Sequence, residues 1–182
     1  MSIDLLDIAP AVTVAQMLTA RDLRADHEAA ALKRYKRPLI ALTVVMPGSI
    51  KDGWVPQRVM TVALEALETA CRRGEWRVLS RDVRWPATGP EALYVVDADS
   101  VTLKAMAFGL EEHHPLGRLW DLDVIETTGE RLSRRNVGLP ARRCLVCGRA
   151  AHVCARSRRH PLRDLRRTIR TMVQAYDCRR VT

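Results

Sequence analysis

The chain has 182 residues, 47% of them hydrophobic, which is enough for one compact domain with a core. No run of about 18 apolar residues occurs, which excludes a spanning helix. Residues 1–20 carry Asp4 and Asp7 and no basic start, so a secretory leader is not expected and a cytoplasmic protein is. The net charge of +9 is uneven: residues 131–182 hold 15 Arg against only Asp164 and Asp177. Arginine forks match phosphate and carboxylate in two-point contacts, so this tail predicts a large anionic partner rather than only a solvated basic face.

Thr13 is placed to cap a first helix running to about Tyr35, with Val14, Met17 and Leu18 on one face. Pro38 ends that pattern, and Leu39–Met46 reads as a buried strand that Pro47-Gly48 breaks. A second helix is predicted over Val55–Arg73, with Val59, Met60, Ala63, Leu64, Leu67 and Cys71 at helical spacing and Gly74 after it. Strands are expected over Trp76–Trp85 and Ala92–Val96. Asp99 or Ser100 then caps a third helix through Leu110, ended by Pro115 and Gly117. Leu119–Ile125 is a further strand, with a short partner at Arg131–Ser133. From residue 39 the order is βαββαβ, which predicts an α+β fold with helices packed on a single mixed sheet. Residues 134–160 look irregular, and a last helix from Pro161 buries Leu162, Leu165, Ile169, Met172, Val173 and Tyr176. One domain over 1–182 is expected, with 134–182 as a basic appendage.

Two groups carry chemistry. Asp121 and Asp123 are two apart on a strand and so point to the same face. Two like charges there repel unless a divalent cation lies between them, and Mg²⁺ on one or two carboxylates plus substrate phosphates is the usual arrangement in phosphoryl transfer. A solvent-facing polar stripe is the competing reading, but the apolar flanks Leu119, Trp120, Leu122, Val124 and Ile125 argue for a buried strand. Gly117 allows close backbone approach to a ligand, and Arg118 lies within reach of that ligand's phosphates.

The second group is Cys144-x₂-Cys147-x₆-Cys154-x₅-His160, the beginning of a zinc-ligand set, with His152 competing for the fourth place. Reduced, packed thiols are the alternative. Cys71 reads as core, and an odd total of five cysteines argues against a disulfide framework.

The run His114-Pro-Leu-Gly-Arg-Leu-Trp-Asp-Leu-Asp-Val124 resembles the signature of the holo-citrate lyase synthase family, also described as apo-citrate lyase phosphoribosyl-dephospho-CoA transferase. Ala20-Arg-Asp-Leu-Arg24, Leu42–Asp52, Leu132–Arg135 leading to Leu139–Cys147, and Val153–Arg156 with His160 resemble the same family in order. The resemblance covers nearly the whole chain. It implies a donor, 2′-(5″-triphosphoribosyl)-3′-dephospho-CoA, attacked at its α-phosphorus by a serine of the apo acyl carrier subunit of citrate lyase, with loss of pyrophosphate.

In that reading Asp121 and Asp123 hold Mg²⁺ or Mn²⁺. Arg118, Arg134 and Arg135 contact donor phosphates, and Arg21, Arg24 and Lys51 are further phosphate contacts. Glu111, Glu112 and Asp97 are candidates for a third carboxylate, and His113 or His114 for a base. The sheet would be nucleotidyltransferase- or palm-like, although Gly117 stands alone where those enzymes carry a more distant Gly-Ser. The resemblance implies no metal at the cysteines, which favours packed thiols there. The same transfer to the malonate decarboxylase carrier is the nearest alternative. A basic nucleic-acid-binding module is the alternative of another class, and aromatic content of only 4% leaves it few stacking platforms.

Overall fold

A computed structural model describes residues 9–134 and 138–181. The elements are α1 (Val14–Tyr35), β1 (Leu39–Val44), α2 (Trp54–Arg73), β2 (Arg77–Arg84), β3 (Glu91–Asp97), α3 (Ser100–His113), β4 (Trp120–Ile125), β5 (Arg131–Leu132), α4 (Ala151–Arg156) and α5 (Leu162–Val181). Thr13 caps α1 in a reciprocal box with Gln16, and Asp99 caps α3 by accepting from the Thr102 N–H at 2.8 Å.

Residues 39–125 follow the expected βαββαβ order, and the strands form one five-stranded sheet in the order β2-β3-β1-β4-β5. The expectation of a mixed sheet needs correcting, because every neighbouring pair is antiparallel. Each helical crossover skips a strand. β1 and β2 run parallel with β3 between them, and β3 and β4 run parallel with β1 between them, so no parallel pair shares hydrogen bonds.

Period-two alternation divides the sheet. Ile40, Leu42, Tyr94, Val96, Trp120, Leu122 and Val124 enter the main core with α2, α3 and α5, where Leu67, Leu103, Ile169 and Val173 are fully buried. Leu39, Ala41, Val95 and Ile125 face the other way, against Ala31, Leu32 and Tyr35 of α1. The first turns of α1 do not pack. Val14 is 76% and Leu18 53% exposed, so the expected apolar face at the start of this helix is not buried. Leu162 is also exposed, at 42%, and α5 buries its apolar stripe only from about Leu165 onward.

Gly117 is required for packing rather than for a ligand. A Cβ there would lie 2.1 Å from the Leu110 carbonyl oxygen at the end of α3, so only glycine lets the chain turn so close into β4. Residues 134–160 were expected to be irregular, yet they contain the short helix α4. Among the described residues no helix is long and apolar enough to cross a membrane.

Candidate active site

Asp121 and Asp123 project from β4 on the α1 side of the sheet, into a cleft of about 540 Å³. Their side chains are half exposed, while Trp120, Leu122 and Val124 between and beside them are buried on the opposite face. Thr43 of β1 lies opposite Asp121 in register and Ala41 opposite Asp123, so two small side chains of β1 share the floor of the cleft. From above, α1 contributes Arg21, Arg24 and Glu28, spaced three and four apart and hence on one helix face.

Arginines meet every carboxylate in this cleft. Asp123 accepts from Arg131 Nη1 at 2.9 Å, and the same guanidinium reaches Glu28 at 2.5 Å. Asp121 accepts from Arg142 Nη1 at 3.2 Å, and Arg142 also donates to the Trp120 carbonyl. Arg24 donates to Glu91 at 2.7 Å, and Glu91 lies opposite Thr43 on the far side of β1. Glu28 is buried, and its Oε1 has no hydrogen-bond partner. An acceptor-only atom left buried without a donor is costly and suits a cation. Asp121, Asp123 and Glu28 all line this cleft, with the Arg131 guanidinium between Glu28 and Asp123.

The other sequence-predicted residues divide by location. Arg21 and Arg24 line the cleft with the Asp pair. Arg134 does not: it is bound to Glu111 and, at 2.8 Å, to Glu112, and stacks 4.9 Å from the centre of the Phe108 ring. Lys51 donates to the Met46 carbonyl, holding the loop after β1, and lines neither the cleft nor the cavity beside Arg118. Burial, with Arg166 nearby, pushes its ammonium below the ordinary lysine value. Arg135 lies outside the described residues.

None of the three carboxylates considered beside the Asp pair borders the cleft. Glu111 accepts from the Leu122 N–H at 2.8 Å on the α3 side, Glu112 pairs with Arg134, and Asp97 pairs with Arg37 at the far end of β3. His113 is bonded at 3.0 Å to the Gly109 carbonyl. His114 packs 4.4 Å from the Trp120 ring, and its Nδ1 accepts from the Leu116 N–H. Both histidines lie outside the cleft lining. Glu28 and Arg131 are cleft residues that sequence reasoning missed, as is Arg142, which reaches Asp121 from outside the cleft lining. The stripe Arg21-x₂-Arg24-x₃-Glu28 at helical spacing was the available signal for Glu28.

Arg118 faces a second cavity, of about 650 Å³, beyond the end of β1. Arg142 belongs to the walls of this cavity while it holds Asp121, so the cavity and the cleft adjoin at that guanidinium.

One wall of this cavity is the cysteine group. Arg143 bridges to Ala150, and the Cys144 N–H donates to the Arg149 carbonyl at 2.7 Å, closing a tight hairpin around Cys147. α4 then brings in Cys154, and the chain after it brings in His160. The ligand atoms of Cys144, Cys147, Cys154 and His160 all lie within 4.8 Å of one another, close enough to hold one metal ion. Burial raises the Cys144 thiol, but backbone N–H groups of Cys147 and Val146 and the neighbouring thiols outweigh it and hold it below its ordinary value. Burial and the same neighbours push Cys154 up to about 11.

Comparison with known proteins is decisive about kinship. Residues 12–176 match the family described as apo-citrate lyase phosphoribosyl-dephospho-CoA transferase. The chain belongs to this family. It is 40% identical over 168 residues to a probable apo-citrate lyase phosphoribosyl-dephospho-CoA transferase of Vibrio cholerae serotype O1 (strain M66-2), covering 92% of this chain and 94% of the relative. It is also 40% identical over 167 residues to the apo-citrate lyase phosphoribosyl-dephospho-CoA transferase of Escherichia coli O7:K1, covering 92% and 91%. In this family member the signature around Asp121 and Asp123 forms the floor of the cleft, and the Cys-bearing stretch forms the wall of the adjoining cavity.

Proposed function

We propose that the protein transfers the phosphoribosyl-dephospho-CoA group from its triphosphate donor to a serine of the apo acyl carrier subunit of citrate lyase. The observation that carries this reading is the family match along residues 12–176. In the reaction the serine oxygen forms a bond to the α-phosphorus, the bond from that phosphorus to the bridging oxygen breaks, and pyrophosphate leaves with the electron pair. Charge builds on the phosphoryl oxygens, so catalysis is positioning plus neutralisation.

Asp121, Asp123 and Glu28 would hold Mg²⁺ or Mn²⁺, which supplies positive charge to the phosphates when bound. Arg21, Arg24, Arg131 and Arg142 bring further positive charge to the cleft, and Arg118 extends it toward the second cavity. The antiparallel sheet with carboxylates on its open face is read as palm-like. The chain works as one transferase unit in the cytoplasm, with 134–182 walling the cavity and presenting a basic surface to an acidic carrier.

The four-ligand group is read as a structural Zn²⁺ site. Zinc–sulfur bonds of about 2.3 Å place tetrahedral ligand atoms under about 4 Å apart. The Cys147–Cys154 sulfur distance is 3.5 Å, and His160 Nε2 lies 3.3 Å from Cys147 Sγ. Backbone N–H groups converge on the first sulfur, Cys144, as a thiolate ligand requires. Protein purified without added metal should carry about one zinc per chain by mass spectrometry, and Cys147→Ser should lose it. A zinc-free wild-type chain with the same melting temperature rejects the site.

The transfer itself is tested by incubating the protein with apo carrier, donor and Mg²⁺ and weighing the intact carrier. A mass gain equal to phosphoribosyl-dephospho-CoA, abolished by a chelator of Mg²⁺, is expected. A gain only on the malonate decarboxylase carrier moves the acceptor, and no gain on either rejects the reaction.

A further inference from the structure

The cavity beyond β1 has features that the reacting triphosphate does not need. Its floor is apolar, with Val45, Leu145 and Leu162 converging from three segments far apart in sequence. Arg118, Arg143 and Arg158 stand among these apolar side chains. Arg118 lines the cavity 19% exposed, with Glu112 3.5 Å from its Nη1.

An apolar floor among separated arginines suits a ligand that joins a flat or alkyl body to phosphates, and about 650 Å³ falls within the usual range of sites for a molecule of nucleotide size. The cavity meets the carboxylate cleft at Arg142, so one elongated ligand can lie in both. Resting on the transfer reaction proposed above, we propose that this cavity binds the dephospho-CoA part of the donor, a purine nucleoside diphosphate with a neutral pantetheine arm. The triphosphate end then passes Arg142 into the cleft of Asp121 and Asp123. Division of labour follows: the cavity sets donor affinity, and the cleft does the chemistry. The metal-ligand group, by contributing Cys144, Cys154 and His160 to the wall, fixes the shape of the donor site.

The test uses 3′-dephospho-CoA itself, which lacks the triphosphoribosyl group, in calorimetric titrations of the full chain. Wild type should bind it, and Arg158→Glu and Ala155→Trp should each weaken binding about tenfold or more. Both positions are exposed, so both variants should fold, which near-wild-type circular dichroism and zinc content would verify. Arg180→Glu, on the far groove beside Tyr176, should bind as wild type. In transfer assays the two cavity variants should raise the donor KM and leave the carrier KM unchanged.

Wild-type affinity in both cavity variants overturns the inference. So does a raised carrier KM with an unchanged donor KM, which would make the cavity a carrier site. Failure of the proposed reaction reads out separately, as no mass gain on either carrier with the wild-type chain, whatever the titrations give.

Discussion

The two faces of the sheet are built from the same strands and do opposite work. On the α2, α3 and α5 side, Trp120, Leu122 and Val124 are at most 1% exposed and join one continuous core. On the α1 side, Ile125, Leu39, Ala41 and Val95 are the buried cluster of the strands, and the adjacent positions are Asp121, Asp123 and Thr43. The lesson is that β4 alternates residue by residue between the core and the cleft. Its even-numbered positions anchor the strand, while the like charges of Asp121 and Asp123 are each met by an arginine, Arg142 and Arg131.

Substitutions on the two faces should therefore separate cleanly. Asp121→Asn removes a charge from a half-exposed side chain. It should lower transfer by roughly 10³-fold, the scale of losing one preorganised electrostatic group, while leaving the melting temperature close to wild type. Leu122→Ala, one residue along but on the buried face, should do the reverse. It should cost about 3 kcal/mol of stability by cavity formation, read in denaturant titration, with near-normal turnover per folded molecule.

Arg131→Ala probes the border. It leaves the buried Glu28 and the Asp123 carboxylate without their shared guanidinium. Since Arg131 is itself half exposed, the expected cost is only about 1–2 kcal/mol. Adding Glu28→Gln should recover part of the stability and none of the activity.

The smallest effect concerns pH on the buried face. Burial, with a smaller contribution from Arg180, holds His114 below its ordinary value of 6.5. The unfolded chain then takes up the proton first. This contribution to stability is full above about pH 6.5 and is lost as pH falls toward the folded value. Melting temperatures measured between about pH 5 and 8 should show a shallower acid slope in His114→Gln. An unchanged slope would place the titrating group elsewhere.

Much of the fold was legible because periodicity is a local property. The strand alternation at 119–125 and the helical stripe at 59–71 emerged within a residue or two of their final bounds. Less was legible where packing partners decide. Val14 and Leu18 look like a buried face, yet among the described residues they stay exposed. Gly117 looks like a ligand contact, yet the α3 carbonyls claim the space. Arg134 looks like a phosphate contact, yet Glu111 and Glu112 take its charge.

The sequence by itself determined the kinship, the βαββαβ order and the shared face of Asp121 and Asp123, because each follows from patterns along one stretch of chain; it left His152 and His160 as competitors beside the three cysteines, and the fold brought His160 to them. Only the tertiary structure decided which distant charges meet the Asp pair. Glu28 and Arg24 arrive on a helix about 100 residues away from the aspartates, and Arg131 and Arg142 return from the other side. Side chains separated by that much chain share no local signal; their encounter is fixed by how α1 lies across the sheet and how the Cys-bearing segment closes its end.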